Sequence, residues 1–359
     1  MAPVIKSLQN EGVDVTVCLT GQHRELLDQV IRAFSLPVHY DLNIMSPGQK
    51  LEDITTRVIT NLCNFFSNEK IDAVLVHGDT TTTLASAISA YYYKIPIGHV
   101  EAGLRTYDKY RPFPEEINRR LVDAIGDFLY APTQRAKENL LSEHIEEEKI
   151  LVTGNTGIDA LLFIAEMQYN FEEEELETIG KKHRLIVVTA HRRENFGKPM
   201  DEIFMAVAEL VSRNKDIEVL IPIHPNPNVL ASAEKYLINR ERIHLSSPLE
   251  YIPFVHILKK SYMILTDSGG IQEEAPSLGK PVLVLRDVTE RPEAIEAGTA
   301  ILVGPHYDRI LETAQRLLDD STFYKSMANK INPYGDGKSA PRIAKHLIER
   351  LKVKTRSKE

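Results

Sequence analysis

Cysteine is scarce, tryptophan is absent, and no long hydrophobic run occurs in the 359 residues. Cys18 and Cys63 form no CxxC pair and have no histidine at zinc-ligand spacing, so neither a disulfide framework nor a metal site is predicted. No stretch approaches the roughly 18 apolar residues of a membrane span, and no signal-peptide pattern opens the chain. We expect a cytoplasmic protein without a metal, a cofactor or a membrane partner.

Positive charge is not in excess either. The 43 basic and 51 acidic residues give a net charge of −8, which argues against a nucleic-acid partner. It leaves room for one small anionic ligand held by a local basic cluster. The length suits two domains.

Short β-rich runs alternate with amphipathic runs, which predicts an α/β protein with parallel sheets and crossover helices. The predicted strands are residues 13–19, 73–76, 97–100, 128–131, 150–152, 185–189, 218–223, 243–245, 263–266, 282–285 and 300–302. The predicted helices include residues 24–34, 51–67, 82–92, 115–124, 134–143, 200–214, 271–278 and 307–319.

We expect three segments: a first domain (1–153), a second (154–331), and a tail (332–359) that crosses back to the first. The acidic run 172–177 is typical of a solvated helix face or a linker. The segment 332–337 is rich in glycine and precedes a final helix over 340–351.

Acidic residues follow two strands of the first domain, where open α/β sheets bind ligands. Asp79 follows strand 73–76, and Glu101 follows strand 97–100. Crowded carboxylates favour proton transfer. Alternatively, Asp79 or Thr80 caps the next helix.

Two further acids open the helix at 115. Pro114 suits the first position of this helix, so Glu116 lies in its first turn. A favourable interaction with the helix dipole is enough to explain an acid at that position. Glu115 has two interpretations: the same favourable interaction with the helix dipole, or a third carboxylate directed at the ligand.

Basic side chains follow two strands of the second domain. The run His191-Arg192-Arg193 predicts either an anion site or a solvated charged loop. His224, in a loop with two prolines, either faces the ligand or has a structural role.

The run from Asp267 to Glu274 is the strongest candidate binding segment. Gly269 and Gly270 open a helix, whose N–H groups suit a diphosphate. Glu274 lies on the same helix face as Gly270 and could accept bonds from two ribose hydroxyls. The alternative is a glycine-rich turn with acids in its first helical turn. Neither a P-loop nor GxGxxG occurs, which disfavours kinases and dehydrogenases.

These motifs together resemble the bacterial non-hydrolysing UDP-N-acetylglucosamine 2-epimerases over essentially the whole chain. The matching stretches are residues 77–80, 99–106, 113–119, 191–195, 267–276, 289–293 and 332–337.

The resemblance implies two Rossmann-like α/β domains of the GT-B type with the ligand in the interdomain cleft, and a homodimer. It implies interconversion of UDP-GlcNAc and UDP-ManNAc through 2-acetamidoglucal, by elimination and re-addition of UDP, for bacterial surface polysaccharides. The implied catalytic residues are Asp79, Glu101, Glu115 and His191. The implied substrate-binding residues are Arg192, Ser268, Gly269, Gly270, Glu274 and Arg291. A second, activating UDP-GlcNAc would contact Gln22, His23, Gln49, Arg192 and His224.

The sequence departs from the family at its beginning. Family members open with a strand and a Gly-Thr-Arg-Pro-Glu loop, which supply an arginine and a lysine to the site, whereas this chain starts at the helix that follows. We expect weak folding or activity of residues 1–359 on that ground. Two other hypotheses stay open: a hydrolysing epimerase or GT-B glycosyltransferase, and an inactive nucleotide-sugar binding protein.

Overall fold

The computed structural model describes residues 1–21, 24–46 and 48–356. They divide into two compact units, one formed by Met1–Ala160 with Gly337–Glu359 and the other by Leu161–Asp336. Both are built from parallel strands and crossover helices, so the predicted α/β class is confirmed. Among the described residues, no helix combines the length and apolar character that a membrane crossing requires.

Unit 1 contains a four-stranded parallel sheet in the order β3-β4-β5-β6 and a separate parallel pair, β1-β2. Its strands are β1 (Cys18–Leu19), β2 (Tyr40–Asp41), β3 (Val74–His77), β4 (Ile97–Val100), β5 (Phe128–Ala131) and β6 (Ile150–Val152). Its helices are α1 (Ala2–Asn10), α2 (Arg24–Phe34), α3 (Leu51–Asn68), α4 (Thr81–Tyr92), α5 (Glu115–Ile125), α6 (Gln134–Ser142), the first part of α7 (Thr156–Glu166), and α16 (Ser339–Arg356).

Two helical layers bury the sheet of unit 1. Apolar residues of α3 and α4 form one core cluster. Residues of α1 and α16, such as Leu8 and Ile343, form another with Phe128 and Tyr130 of β5. Asp159 anchors the start of α16, because its carboxylate accepts bonds from the N–H groups of Ser339 (3.2 Å) and Ala340 (2.8 Å).

Unit 2 contains a six-stranded parallel sheet in the order β12-β11-β10-β7-β8-β9. Its strands are β7 (Arg184–Thr189), β8 (Ile217–Pro222), β9 (Ile243–Ser246), β10 (Met263–Thr266), β11 (Val282–Val284) and β12 (Ala300–Leu302). Its helices, after the end of α7, are α8 (Glu174–Thr178), α9 (Lys198–Arg213), α10 (Pro227–Tyr236), α11 (Tyr251–Lys260), α12 (Gly269–Glu274), α13 (Pro292–Ala297), α14 (Tyr307–Asp319) and α15 (Ser321–Ala328). The strand order reverses between β7 and β10, which is where an open sheet forms a ligand crevice.

Two local predictions need correction, whereas a third agrees with the structure: the acidic run contains the short helix α8, whose Leu176 packs inward while residues 172–175 face solvent. The strand expected over 13–19 is limited to Cys18–Leu19, because only these residues find a pairing partner, in the unpredicted strand β2. The helix expected over 271–278 begins two residues earlier, at Gly269, and continues as a 3-10 turn over Ala275–Leu278.

Candidate functional site

Asp79 lies just beyond the end of β3 and is not the cap of the next helix. Thr80 takes that role, since its hydroxyl accepts a bond from the N–H of Thr83 at 3.2 Å. The Asp79 carboxylate instead pairs with the Arg119 guanidinium, and its carbonyl accepts a bond from the Asn118 amide (2.9 Å). The capping alternative is thereby resolved in favour of Thr80.

Glu101 follows β4 in an unfavourable backbone conformation. Its φ of +70° lies in the left-handed region, which non-glycine residues rarely adopt and which is often retained at functional sites. One carboxylate oxygen lies 3.4 Å from Nε2 of His77. Burial lowers the pKa of His77 well below its usual value, so this neighbour is neutral. Gly78 passes so close that a Cβ there would lie 3.4 Å from the same oxygen.

A buried polar network, which sequence reasoning missed, supports the Glu101 loop. His99 contacts Asp123 through Nδ1 (2.7 Å) and the carbonyl of Gly78 through Nε2 (2.8 Å). The other oxygen of Asp123 pairs with Arg105 (2.8 Å), which also binds Glu143 (2.7 Å). His99 and Arg105 lie in the matching stretch 99–106. Their partners Asp123 and Glu143 are 24 and 38 residues away, so no local pattern indicated the network.

The two neighbouring acids of α5 have different environments. Glu116 is fully buried and accepts bonds from the N–H groups of Thr106 (3.0 Å) and Tyr107 (3.1 Å), which is a structural role. Glu115 has one buried carboxylate oxygen with no hydrogen-bond partner among the described residues. It lies four residues before Arg119 on the same helix face, and Arg119 contacts Asp79. Unit 1 therefore places Asp79 and Glu101 at the ends of β3 and β4, and Glu115 one helical turn before the arginine that pairs with Asp79.

Asp267 of unit 2 organises the loop that follows β7. The carboxylate is fully buried, and its Oδ2 accepts bonds from the N–H groups of His191 and Arg192 (both 2.8 Å) and from the Asn195 amide (3.0 Å). Its Oδ1 lies 3.3 Å from Nδ1 of His191. These contacts orient the loop and the imidazole together, a role that the sequence did not reveal.

The two histidines predicted on separate loops meet in the structure. The rings of His191 and His224 are stacked, with centroids 5.7 Å apart and 11° between their planes. Nδ1 of His224 accepts a bond from the N–H of Asn226 at 3.2 Å, which leaves Nε2 as the nitrogen available to a ligand.

Gly269 and Gly270 open α12 next to two arginines. A Cβ built on Gly269 would lie 3.8 Å from the Arg291 guanidinium and 3.9 Å from that of Arg192. Nothing lies within 4 Å of the corresponding position at Gly270. Free N–H groups at a helix start, flanked by two guanidinium groups, suit an anion such as a diphosphate. Ser268 precedes α12 and makes no side-chain capping bond.

Glu274 lies at the end of α12 and contacts Tyr251 of α11, a neighbour that the sequence did not indicate. The Tyr251 hydroxyl donates to the Glu274 carboxylate at 3.4 Å. Burial, with a contribution from the charge of Glu273, raises the pKa of Glu274 to about 7. The carboxylate therefore changes its charge within the physiological range.

This pKa leads to a pH-dependent prediction for nucleotide affinity. If Glu274 binds the ribose as the resemblance implies, we expect UDP affinity to rise by about tenfold between pH 6 and pH 8, because the ionised carboxylate would accept bonds from both ribose hydroxyls. Titration calorimetry on Glu274→Gln is the control. The ionisation of UDP affects both proteins equally, whereas only the wild type has the carboxylate. Equal pH profiles for the two proteins would contradict the assignment.

The remaining predicted residues are less informative. Gln49 uses both ends of its amide within its own loop, donating to the carbonyl of Ile44 and accepting from the N–H of Ser46, each at 3.0 Å. Gln22 and His23 lie outside the described residues. Across the described ranges, no group of three or more histidine, cysteine or acidic side chains is arranged to hold a metal ion.

Known proteins resemble this chain along nearly its whole length. The family profile of UDP-N-acetylglucosamine 2-epimerase matches residues 6–348. Enzymes with that name from Neisseria meningitidis and Escherichia coli K12 are 48% and 47% identical, over 97% of this chain and 95% and 94% of theirs. The crystal structure of the Neisseria meningitidis UDP-GlcNAc 2-epimerase bound to UDP-GlcNAc superposes with a TM-score of 0.84 at 48% identity, covering 97% of this chain and 96% of that one.

The predicted fold class, two Rossmann-like units of the GT-B type, is confirmed by that structural similarity. Proteins that share only a fold do not match a family profile over residues 6–348 or reach 47–48% sequence identity over 97% of the chain. The chain belongs to the UDP-N-acetylglucosamine 2-epimerase family.

Proposed function

We propose that this chain interconverts UDP-GlcNAc and UDP-ManNAc without net hydrolysis. The observation that carries the proposal is the pair of carboxylates at the ends of β3 and β4, Asp79 and Glu101, with Glu115 one helical turn from the arginine that pairs with Asp79. One oxygen of Glu115 is buried and has no partner in the described part of the chain. The C2 proton of the sugar is not next to a carbonyl, so its simple removal is too costly. Expulsion of UDP from C1 as C2 loses its proton avoids that cost.

In the proposed elimination, a carboxylate accepts the C2 proton and the C–H electrons form the C1–C2 double bond. The C1–O bond breaks, and its electrons leave with UDP. Addition of UDP back to C1 of the 2-acetamidoglucal, with a proton delivered to the other face of C2, gives the epimer. Two faces require at least two positioned acid–base groups, which Asp79, Glu101 and Glu115 would supply.

Unit 2 would bind the leaving group. The N–H groups of Gly269 and Gly270, with Arg192, Arg291 and His191, would stabilise the charge that develops on the diphosphate. Glu274 would hold the ribose. A site with fixed dipoles needs little reorganisation during the reaction, so these groups would lower the barrier to elimination.

Incubation with UDP-GlcNAc in D₂O tests the proposal. We expect deuterium at C2 of intact UDP-sugar and formation of UDP-ManNAc, both followed by NMR. Release of UDP and free ManNAc without deuterated UDP-sugar would identify a hydrolysing enzyme and overturn the proposal. Thermal stabilisation by UDP-GlcNAc without any exchange would indicate a binding protein.

We also propose that the protein forms a homodimer through α4 and α5. Ile117, Leu121 and Ala124 form an exposed stripe on α5, with Ile117 37% and Leu121 47% accessible. The neighbouring Tyr91 and Tyr92 of α4 are also exposed. An apolar stripe of this kind can pair with its own copy across a two-fold axis.

Sedimentation equilibrium tests the dimer. We expect the mass of two chains for the wild type and of one chain for Leu121→Glu, because the introduced charges would face each other across the axis. Glu138→Gln on α6 is a control for a surface charge change. A monomeric wild type would refute the proposal.

Activation by a second UDP-GlcNAc stays a proposal for this chain. Arg192 beside Gly269 and His224 against His191 would couple such a site to the diphosphate site. A hyperbolic dependence of the rate on UDP-GlcNAc, unaffected by added substrate analogue, would argue against it.

A further inference from the structure

A basic cavity of about 470 Å³ lies at the amino-terminal edge of the unit 2 sheet. Lys182 and His183 precede β7, Tyr262 precedes β10 and Lys280 precedes β11. All strands of this sheet are parallel, so Asp267 and His191 lie at its opposite edge. The cavity is therefore separate from the candidate active site, and the proposed function does not use it.

The cations of this cavity are only partly compensated. Lys181 pairs with Glu177 (3.0 Å), and Arg184 pairs with Asp216 (2.6 Å). The Lys260 ammonium donates to the carbonyls of Leu176 (3.0 Å) and Glu177 (3.1 Å) and lies 4.3 Å from the Phe171 ring centroid.

Two lysine side chains of this cavity lack a partner among the described residues. Neither the ammonium of the exposed Lys182 nor that of Lys280 forms a hydrogen bond or an ion pair there. Burial lowers the pKa of Lys280, and also that of Lys260. The partly buried Lys280 ammonium, without a counter-charge among the described residues, is less stable than one in water, so a bound anion would stabilise it.

A rigid aromatic wall borders these lysines. The rings of Tyr262 and Tyr324 stack with centroids 4.2 Å apart, and the Arg184 guanidinium lies 5.0 Å from the Tyr262 ring centroid. Both hydroxyls donate to main-chain oxygens, Tyr262 to Leu317 (3.0 Å) and Tyr324 to Tyr262 (2.9 Å). The wall is thus held in place without a ligand, which limits the entropic cost of binding.

We propose that this cavity binds a small phosphorylated anion, whose phosphate contacts Lys182 and Lys280. Ammonium groups bind phosphate as point charges. The cavity volume suits a small molecule. A nucleic acid would instead require a broad basic surface, and the chain carries a net charge of −8.

Titration calorimetry with inorganic pyrophosphate tests this proposal. The protein is first saturated with UDP, which occupies the diphosphate site at the other edge, and ionic strength is held constant. We expect binding at one further site, weakened about tenfold or more by Lys280→Met or Lys182→Met, because each removes a charge-assisted hydrogen bond. Lys235→Met, an exposed lysine on α10, should bind pyrophosphate as the wild type does.

Three results would overturn the proposal: no binding of millimolar pyrophosphate, full binding by both cavity variants, or equal weakening by Lys235→Met. The two cavity variants are independent, so one remains informative if the other does not fold. The failure of this site would be distinct from that of the proposed function, since the variants should keep the UDP affinity and the deuterium exchange of the wild type.

Discussion

Glu115→Gln should abolish most of the deuterium exchange at C2 and of the epimerisation, with a rate loss of about 10²- to 10⁴-fold. The amide has the shape of the carboxylate but cannot accept a proton. Because the buried oxygen of Glu115 has no partner among the described residues, its replacement breaks no hydrogen bond there. Exchange is measured by NMR in D₂O, stability by thermal unfolding and UDP affinity by calorimetry. We expect the last two to stay close to the wild type.

The neighbouring residue is a matched control. Glu116→Gln changes the same functional group one position along the helix, where both carboxylate oxygens accept main-chain N–H bonds. An amide nitrogen facing one of these donors should lower the free energy of unfolding by about 1–3 kcal/mol. If Glu115→Gln retained near-normal exchange, or if it lost stability as Glu116→Gln does, Glu115 would not be a proton-transfer group.

Asp267→Asn should weaken UDP binding by about 10- to 100-fold and lower the free energy of unfolding by about 2–4 kcal/mol. The buried carboxylate accepts from two main-chain N–H groups and one amide on a single oxygen. An asparagine oxygen can keep that position only by placing its NH₂ group toward His191. Either orientation disturbs the loop that presents His191 and Arg192.

A second aspartate near the same edge of the sheet is the control for this prediction. Asp287 is 66% exposed and pairs with His306 at 2.8 Å. Asp287→Asn should change stability by less than about 1 kcal/mol, because exposed ion pairs contribute little. A stable Asp267→Asn protein that binds UDP as tightly as the wild type would show that Asp267 does not organise the anion site.

Local sequence patterns predicted much of the fold. Strands β4, β5, β6, β10 and β12 and the helices α2 and α14 have the predicted bounds. Buried parallel strands are continuous apolar runs, and the helices between them repeat apolar residues every three to four positions. Both signals depend on neighbouring residues only. The strand expected over 13–19 was wrong in extent because a strand also needs a partner, which neighbouring residues do not specify.

The run from Asp267 to Glu274 shows where prediction from sequence ended. Gly269 and Gly270 at a helix start, with an acid four residues on, are local features, and they predicted an anion site in the segment that follows β10. The function of Asp267 depends on residues about 75 positions away, and the arginines beside Gly269 come from two different loops. The pKa of Glu274 depends on how deeply α12 is packed, which no local pattern encodes.

Glu115 and Glu116 of unit 1 also show the difference between what local sequence predicts and what only tertiary packing determines. Element order and spacing already specified the α/β class and the strand ends that carry acidic and basic residues, and the resemblance of the motifs indicated the family. Only the packed chain decided which acid accepts main-chain bonds and which keeps an unpartnered oxygen, and whether His191 and His224 meet. Secondary structure follows from short continuous apolar runs and from apolar repeats of three to four residues. Contacts between side chains far apart in sequence arise only when the sheets and helices pack together.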